Sequence, residues 1–150
     1  MTEQQLNTTI GTSMDWHYKI GDAGKFKKPF DGVAIHGGKS IYWESKLIKK
    51  PQAFNFTRLE DHQIYNLMQV HKLAPDAIPL FLICVQFARG DNRVFVFRDI
   101  PYIARRKRDG ISITKKEFER RKNYVNIHKQ LINIDELLAI DKNLEYESDL

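Results

Sequence analysis

The chain has 150 residues, of which 42% are hydrophobic and 29% are charged, a balance typical of a globular domain that buries its own core. Its longest apolar run, residues 77–88, is too short to cross a bilayer, and its first residues show no export signal. The single cysteine, Cys84, lies in that run and excludes an intramolecular disulfide. We therefore expect one domain in the cytoplasm, without a membrane segment.

The net charge of +5 is unevenly distributed along the sequence. One group of lysines lies between residues 19 and 50, a second basic group lies between residues 105 and 122, and the tail from Asp135 is acidic. Clustered cations favour a polyanionic partner such as DNA, because neutralising phosphates releases counterions; a simple solvated surface is the alternative. Eight residues are predicted to contact DNA phosphates: Lys27, Lys28, Lys49, Lys50, Arg105, Arg106, Lys107 and Arg108.

The N-terminal part of the chain shows no regular apolar pattern. Residues 1–13 are polar, and we expect a flexible segment there, followed by a single domain over residues 14–150. Residues 15–28 combine aromatic and basic residues with glycines, which favours an irregular lead-in. Within it, Trp16 and Tyr18 are expected to pack over the segment that follows, with stacking on unpaired bases as the alternative.

Two short apolar segments are predicted to form the strands of a β-hairpin, over residues 31–35 and 39–48. They flank Gly37 and Gly38, and paired glycines supply the positive φ angles that a tight two-residue loop demands. The second strand is expected to end before Pro51, since proline cannot donate a ladder hydrogen bond.

The length of this loop fixes which residues face each other. With two loop residues, Trp43 lies over Gly32, and Asp31 lies opposite Glu44. Lys46 shares the face of Glu44 because side chains alternate along a strand, whereas a loop one residue longer would separate the two carboxylates. Opposed carboxylates repel, so this register favours a bound divalent cation such as Mg²⁺. The alternative is a surface hairpin with solvated charges.

The rest of the sequence alternates helical and strand patterns. Helices are predicted from capping residues and apolar spacing, and strands from runs of β-forming residues. The predicted elements are a helix from Thr57 that ends before Pro75, strands over residues 78–87 and 93–97, a short helix over residues 102–108, a helix from Thr114 to about Asn123, a strand over residues 125–127, and a helix capped by Asn133 that runs through Ile140. This order predicts an α/β fold with a mixed central β-sheet flanked by helices.

Several motifs coincide with those of one nuclease superfamily. Pro-x-Asp is followed by Glu-x-Lys on the next strand, then by an aromatic linker and by His-Gln in a helix. The matching segments are residues 29–33, 42–46, 54–56, 61–64, 93–97 and 111–117. On these residues the chain resembles the PD-(D/E)xK nucleases and, within them, the RecU-type Holliday junction resolvases.

This resemblance implies a restriction-endonuclease-like fold and a Mg²⁺-dependent endonuclease in which Mn²⁺ substitutes. It also implies a homodimer whose two sites nick opposing strands of a four-way DNA junction, without a small-molecule cofactor. The implied catalytic residues are Asp31, Glu44, Lys46 and Gln63, and the implied metal ligands are Asp31, Glu44 and the backbone carbonyl of Ser45.

The sequence departs from the RecU-type pattern near its start. Residues 16–28 are too few for the stalk that enters the junction in RecU-type proteins, which suits a compact nuclease of a phage or another mobile element. Two other functions stay open. One is another PD-(D/E)xK nuclease of restriction, flap or end-specific type, and the other is a non-catalytic protein that binds nucleic acid.

Overall fold

The computed structural model describes residues 1–21 and 27–146. Part of the predicted lead-in, residues 22–26, lies outside the described residues, as do residues 147–150 of the predicted domain. Within the two described ranges, no helix is long and apolar enough to cross a membrane.

Six β-strands form one mixed sheet whose strand order follows the order of the chain. The strands are β1 Trp16–Lys19, β2 Gly32–His36, β3 Lys39–Ile48, β4 Ile78–Ala88, β5 Asp91–Phe97 and β6 Tyr124–Asn126. β3 and β4 are parallel, and the other neighbouring pairs are antiparallel. A parallel pair requires a long crossover connection, which residues 49–77 provide.

Helices cover both faces of this sheet. Those in the described ranges are α1 Glu3–Thr12, α2 Asp61–Leu73, α3 Ile100–Arg108, α4 Lys115–Arg120 and α5 Ile134–Ala139, with 3₁₀ turns at Phe56–Arg58 and Lys142–Glu145. One core packs α1 and α5 against strand residues such as Trp43, and the other packs α2, α3 and α4 against residues such as Phe81. The predicted α/β fold with a mixed sheet between helices is confirmed.

The hairpin has the predicted register. Gly32 pairs with Trp43 and His36 pairs with Lys39, so the loop consists of two glycines. Gly37 and Gly38 have φ angles of 56° and 75°, the left-handed conformation that a glycine adopts at little cost. The elements after α2 lie close to their predicted bounds, except that α4 ends at Arg120 rather than near Asn123.

The N-terminal segment is a helix, and the prediction of a flexible segment over residues 1–13 is wrong. Thr2 caps α1: its hydroxyl accepts from the N–H of Gln5, whose side-chain oxygen accepts from the N–H of Thr2. Leu6 and Ile10 lie one turn apart and are fully buried against the sheet. Thr-x-x-Gln is a capping-box pattern that the polar composition of this segment obscures.

The predicted lead-in contains the edge strand β1, which pairs antiparallel with β2. Trp16 and Tyr18 face Ile35 and Val33 across this ladder, and 54% and 61% of their surfaces remain exposed. The expectation that these rings pack over the hairpin is wrong, because more than half of each residue is exposed on a strand that extends the sheet at its edge.

Helix α2 begins later than the predicted start at Thr57. A 3₁₀ turn occupies residues 56–58, and α2 begins at Asp61. The N–H of Glu60 donates to Oε1 of Gln63 (2.8 Å), so Gln63 caps the helix from within its first turn. This later start places the Gln63 amide beside β3.

Candidate active site

The hairpin brings Asp31 and Glu44 together at one end of β2. A Cβ atom at Gly32 would lie 2.1 Å from the Trp43 ring, so only glycine fits beneath the indole. The N–H of Asp31 donates to the carbonyl oxygen of Trp43 (3.0 Å), which continues the ladder by one residue. Asp31 therefore stands beside Glu44, and both side chains are buried.

Glu44 is a buried carboxyl group with altered acidity. The pKa of Glu44 is raised to about 8, mainly by burial and secondly by the negative charge of Asp31. The ammonium of Lys46 lies 3.7 Å from Glu44 Oε1 and opposes this rise without cancelling it. Gln63 Nε2 donates to the same oxygen at 2.7 Å. Glu44 is therefore largely protonated at neutral pH, and a cation beside it would favour its charged form.

Both carboxylate oxygens of Asp31 have donors in the protein. The backbone N–H of Ser45 donates to Asp31 Oδ2 at 2.8 Å. The ammonium of Lys28, a predicted DNA contact, lies 3.0 Å from Asp31 Oδ1. A positive charge thus already sits at one of the carboxylates that the sequence predicts as metal ligands.

The chemistry of this carboxylate pair fits a hard divalent cation. Mg²⁺ needs only one or two protein carboxylates, and an added positive charge would relieve the repulsion that raises the pKa of Glu44. Across residues 1–21 and 27–146, no group of three or more His, Cys, Asp or Glu side chains could hold a metal. Further ligands would therefore be backbone carbonyls such as that of Ser45, water and phosphate oxygens.

A cavity of about 510 Å³ opens beside Asp31. α1 contributes Glu3 and Asn7 to its wall, and Lys19 and Lys28 also line it. The sequence reasoning missed both α1 residues because it did not predict the helix. The Thr-x-x-Gln cap would have identified them, since it places Glu3 and Asn7 one turn apart on the same helix face.

Arg106 is a structural residue, and its prediction as a DNA contact is wrong. Its guanidinium forms a two-point salt bridge with Glu117, with both N···O distances at 2.9 Å. Its other N–H groups donate to the hydroxyl of Tyr102 and to the carbonyl oxygens of Ile111 and Ser112. All five donors are used inside the protein and 6% of the residue is exposed, so a phosphate cannot reach it.

The other predicted DNA contacts differ in their exposure. Lys107 is mostly buried, with its ammonium 3.4 Å from a carboxylate oxygen of Asp61 and donating to the carbonyl oxygen of Phe56. The exposed members of the predicted set are Lys27, Lys49, Lys50, Arg105 and Arg108. The structure therefore keeps a basic surface but removes Arg106 from it.

Comparison with known proteins adds little to this description. No family model matches the sequence, and no curated protein matches it either. Among solved structures, Hjc of Archaeoglobus fulgidus, a Holliday junction resolvase from an archaeal hyperthermophile, is similar over 62% of this chain and 72% of that chain. The identity is 19% and the TM-score is 0.43, and no conclusion about function rests on a likeness at that level.

Proposed function

We propose that this chain is a Mg²⁺-dependent endonuclease that resolves four-way DNA junctions by paired nicks. The observation that carries the proposal is the convergence of Asp31, Glu44, Lys46 and Gln63, with Glu44 buried and its pKa raised to about 8. Ionisable groups that are perturbed in this way concentrate at functional sites. The choice of a junction as substrate comes from the resemblance of the motifs to those of RecU-type resolvases.

The proposed roles follow from the contacts of each side chain. Asp31 and Glu44 would hold Mg²⁺, which when bound supplies neutralisation of the phosphate and an activated water. Lys46 would orient that water or offset the charge that develops on the phosphate, because its ammonium lies beside the carboxylate pair. Gln63 would fix the Glu44 carboxyl group by donating to Oε1, and the carbonyl of Ser45 would add a ligand.

The DNA would approach over the exposed basic residues. A homodimer would supply the two active sites that paired nicks require, and the cytoplasm of a prokaryotic or phage-infected cell would supply the substrate. The residues proposed to contact phosphates are Lys27, Lys49, Lys50, Arg105 and Arg108.

The test is a cleavage assay with end-labelled four-way junction, duplex and single strand, each with Mg²⁺, with Mn²⁺ and with EDTA. The variants are Glu44→Gln and, as a matched control, Glu119→Gln, which makes the same change at an exposed position on α4. We expect symmetric paired nicks on the junction by the wild type and the control, and no cleavage by Glu44→Gln or in EDTA.

The other outcomes separate the alternatives. Degradation of plain duplex would replace the junction resolvase with another nuclease of restriction, flap or end-specific type. Binding to DNA without cleavage in either metal would leave a non-catalytic nucleic-acid-binding protein. Cleavage by Glu44→Gln at the wild-type rate would remove this site from the chemistry altogether.

A further inference from the structure

A buried hydrogen-bond relay connects helix α1 to Asp31. Asn7 Oδ1 accepts from the indole Nε1 of Trp43 (2.9 Å) and from the hydroxyl of Ser45 (2.6 Å). The hydroxyl oxygen of Ser45 also lies 3.3 Å from Asp31 Oδ2, the atom that accepts from the Ser45 N–H at 2.8 Å. All four residues are buried, so water does not compete freely for these contacts.

The distances show where the hydroxyl proton points. A hydroxyl group has one proton, and Ser45 therefore makes one full hydrogen bond as a donor. The 2.6 Å contact with Asn7 lies in the range of good O–H···O bonds, whereas the 3.3 Å contact with Asp31 lies beyond it. The indole N–H of Trp43 only donates, so the Asn7 atom that it meets must be the amide oxygen.

We propose that Asn7 is a positioning residue that keeps the Ser45 hydroxyl proton away from Asp31 and so leaves Asp31 Oδ2 available to a divalent cation. This inference rests on the proposed metal-dependent function. Without the Asn7 oxygen, the Ser45 hydroxyl turns to Asp31 Oδ2, which then accepts two protein hydrogen bonds. Those two donors compete with the cation for the lone pairs of this oxygen, and the metal affinity falls.

The test measures Mn²⁺ binding to the full chain by isothermal titration calorimetry without DNA. Asn7→Ala is expected to weaken binding about tenfold, the lower end of what mutating a residue that supports a metal ligand costs. Ser45→Ala keeps the backbone carbonyl that we propose as a ligand and removes only the hydroxyl, so it serves as the reference for the double variant. The double variant Asn7→Ala/Ser45→Ala is expected to regain the affinity of Ser45→Ala, since the competing hydroxyl is gone.

Two further variants separate positioning from a general loss of structure. Ile10→Val weakens the packing of the same helix and leaves every hydrogen-bonding group of the relay in place, and we expect wild-type Mn²⁺ affinity. Asn7→Asp keeps an oxygen for both donors, so it should bind Mn²⁺ at least as tightly as the wild type. The indole N–H resonance of Trp43, followed by ¹⁵N NMR without metal, should move in Asn7→Ala and stay near its position in Asn7→Asp.

The outcomes that overturn the inference are distinct from failure of the proposed function. Equal Mn²⁺ affinity of wild type and Asn7→Ala would refute it, and so would a double variant as weak as Asn7→Ala. If Asn7→Ala does not fold, a tenfold loss of Mn²⁺ affinity in Asn7→Asp refutes the inference instead. A wild type that binds no Mn²⁺ and cleaves no DNA would remove the proposed function, and the inference with it.

Discussion

Glu44 is expected to make the metal-free protein less stable as the pH rises. Its pKa in the folded protein is about 8 against an ordinary value of 4.5, because burial and then the charge of Asp31 disfavour its ionised form. The folded state therefore binds this proton more tightly than the unfolded chain does. The stabilising contribution is fully present below the unfolded pKa and is lost as the pH rises through the folded pKa.

The size of this stabilising contribution follows from the pKa shift of Glu44. Each pKa unit corresponds to about 1.4 kcal/mol, so the change from 4.5 to about 8 sets an upper bound of about 5 kcal/mol. Folded domains have free energies of unfolding of only about 5–15 kcal/mol. The titration of this one group thus changes a large part of the total stability between mildly acidic and mildly alkaline pH.

The assay is chemical denaturation in EDTA at a series of pH values from about 5 to about 9. Glu44→Gln should gain stability relative to the wild type as the pH rises, by several kcal/mol at the alkaline end. The difference between the two proteins isolates Glu44, since other groups such as the buried Glu145 titrate in both. Glu119→Gln, the exposed control, should have the same free energy of unfolding as the wild type at each pH. Added Mg²⁺ should stabilise the wild type and so reduce the difference in stability between it and Glu44→Gln.

Parallel pH curves for the wild type and Glu44→Gln would refute this reasoning. They would mean that the folded protein opens enough to hydrate Glu44, and that burial of this carboxyl group does not favour a cation at the site. Asp31→Asn offers a second check, because it removes the charge next to Glu44. The free energy of unfolding of this variant should depend less on pH than that of the wild type.

Four further outcomes are expected. Asp31→Asn should abolish junction cleavage while gel-shift affinity is kept or raised, because it removes a negative charge from the site where we propose that DNA binds. Equal loss of cleavage and affinity would indicate a structural role. Lys46→Ala should lower the single-turnover rate about a hundredfold or more with Mn²⁺ affinity unchanged, since an ammonium is not a ligand, and arginine should not rescue it fully. Replacing Arg105 and Arg108 with alanine should flatten the salt dependence of log K by about 0.9 per lost phosphate contact, and an unchanged slope would exclude them from the interface. Arg106→Ala should instead lower the free energy of unfolding by about 3–5 kcal/mol, and a loss of DNA affinity without destabilisation would contradict its structural role.

The hairpin could be predicted because its signals are local. Two glycines specify the loop, the loop specifies the register, and the register determines which side chains share a face. Asp31, Glu44 and Lys46 were therefore predictable as neighbours from a short stretch of sequence. Gln63 needed the resemblance as well, because its contact with Glu44 depends on where α2 begins.

The features that the sequence did not reveal depend on tertiary contacts. β1 has four residues and an exposed face, so only its pairing with β2 identifies it as a strand. Arg106 belongs to a run of basic residues, and nothing in that run indicates which member turns inward. In the structure, Arg106 lies on the same buried face of α3 as Ile103, and Glu117 supplies the charge that compensates it.

Two buried carboxyl groups show how the molecule separates structural from functional charge. Burial alone would raise the pKa of Glu117, but the hydrogen bonds and charge of Arg106, with help from Arg121, hold it below its usual value. Glu44 has Lys46 at 3.7 Å, the more weakly acting Lys28 and the neutral Gln63 to oppose its burial and the charge of Asp31, and its pKa still rises. A fold that compensates one buried carboxylate with two arginines, and the other only in part with lysines, leaves the second carboxylate able to gain from a further positive charge. The proposed Mg²⁺ would supply that charge, and its binding would turn an unfavourable contact of the free protein into the catalytic site that we propose.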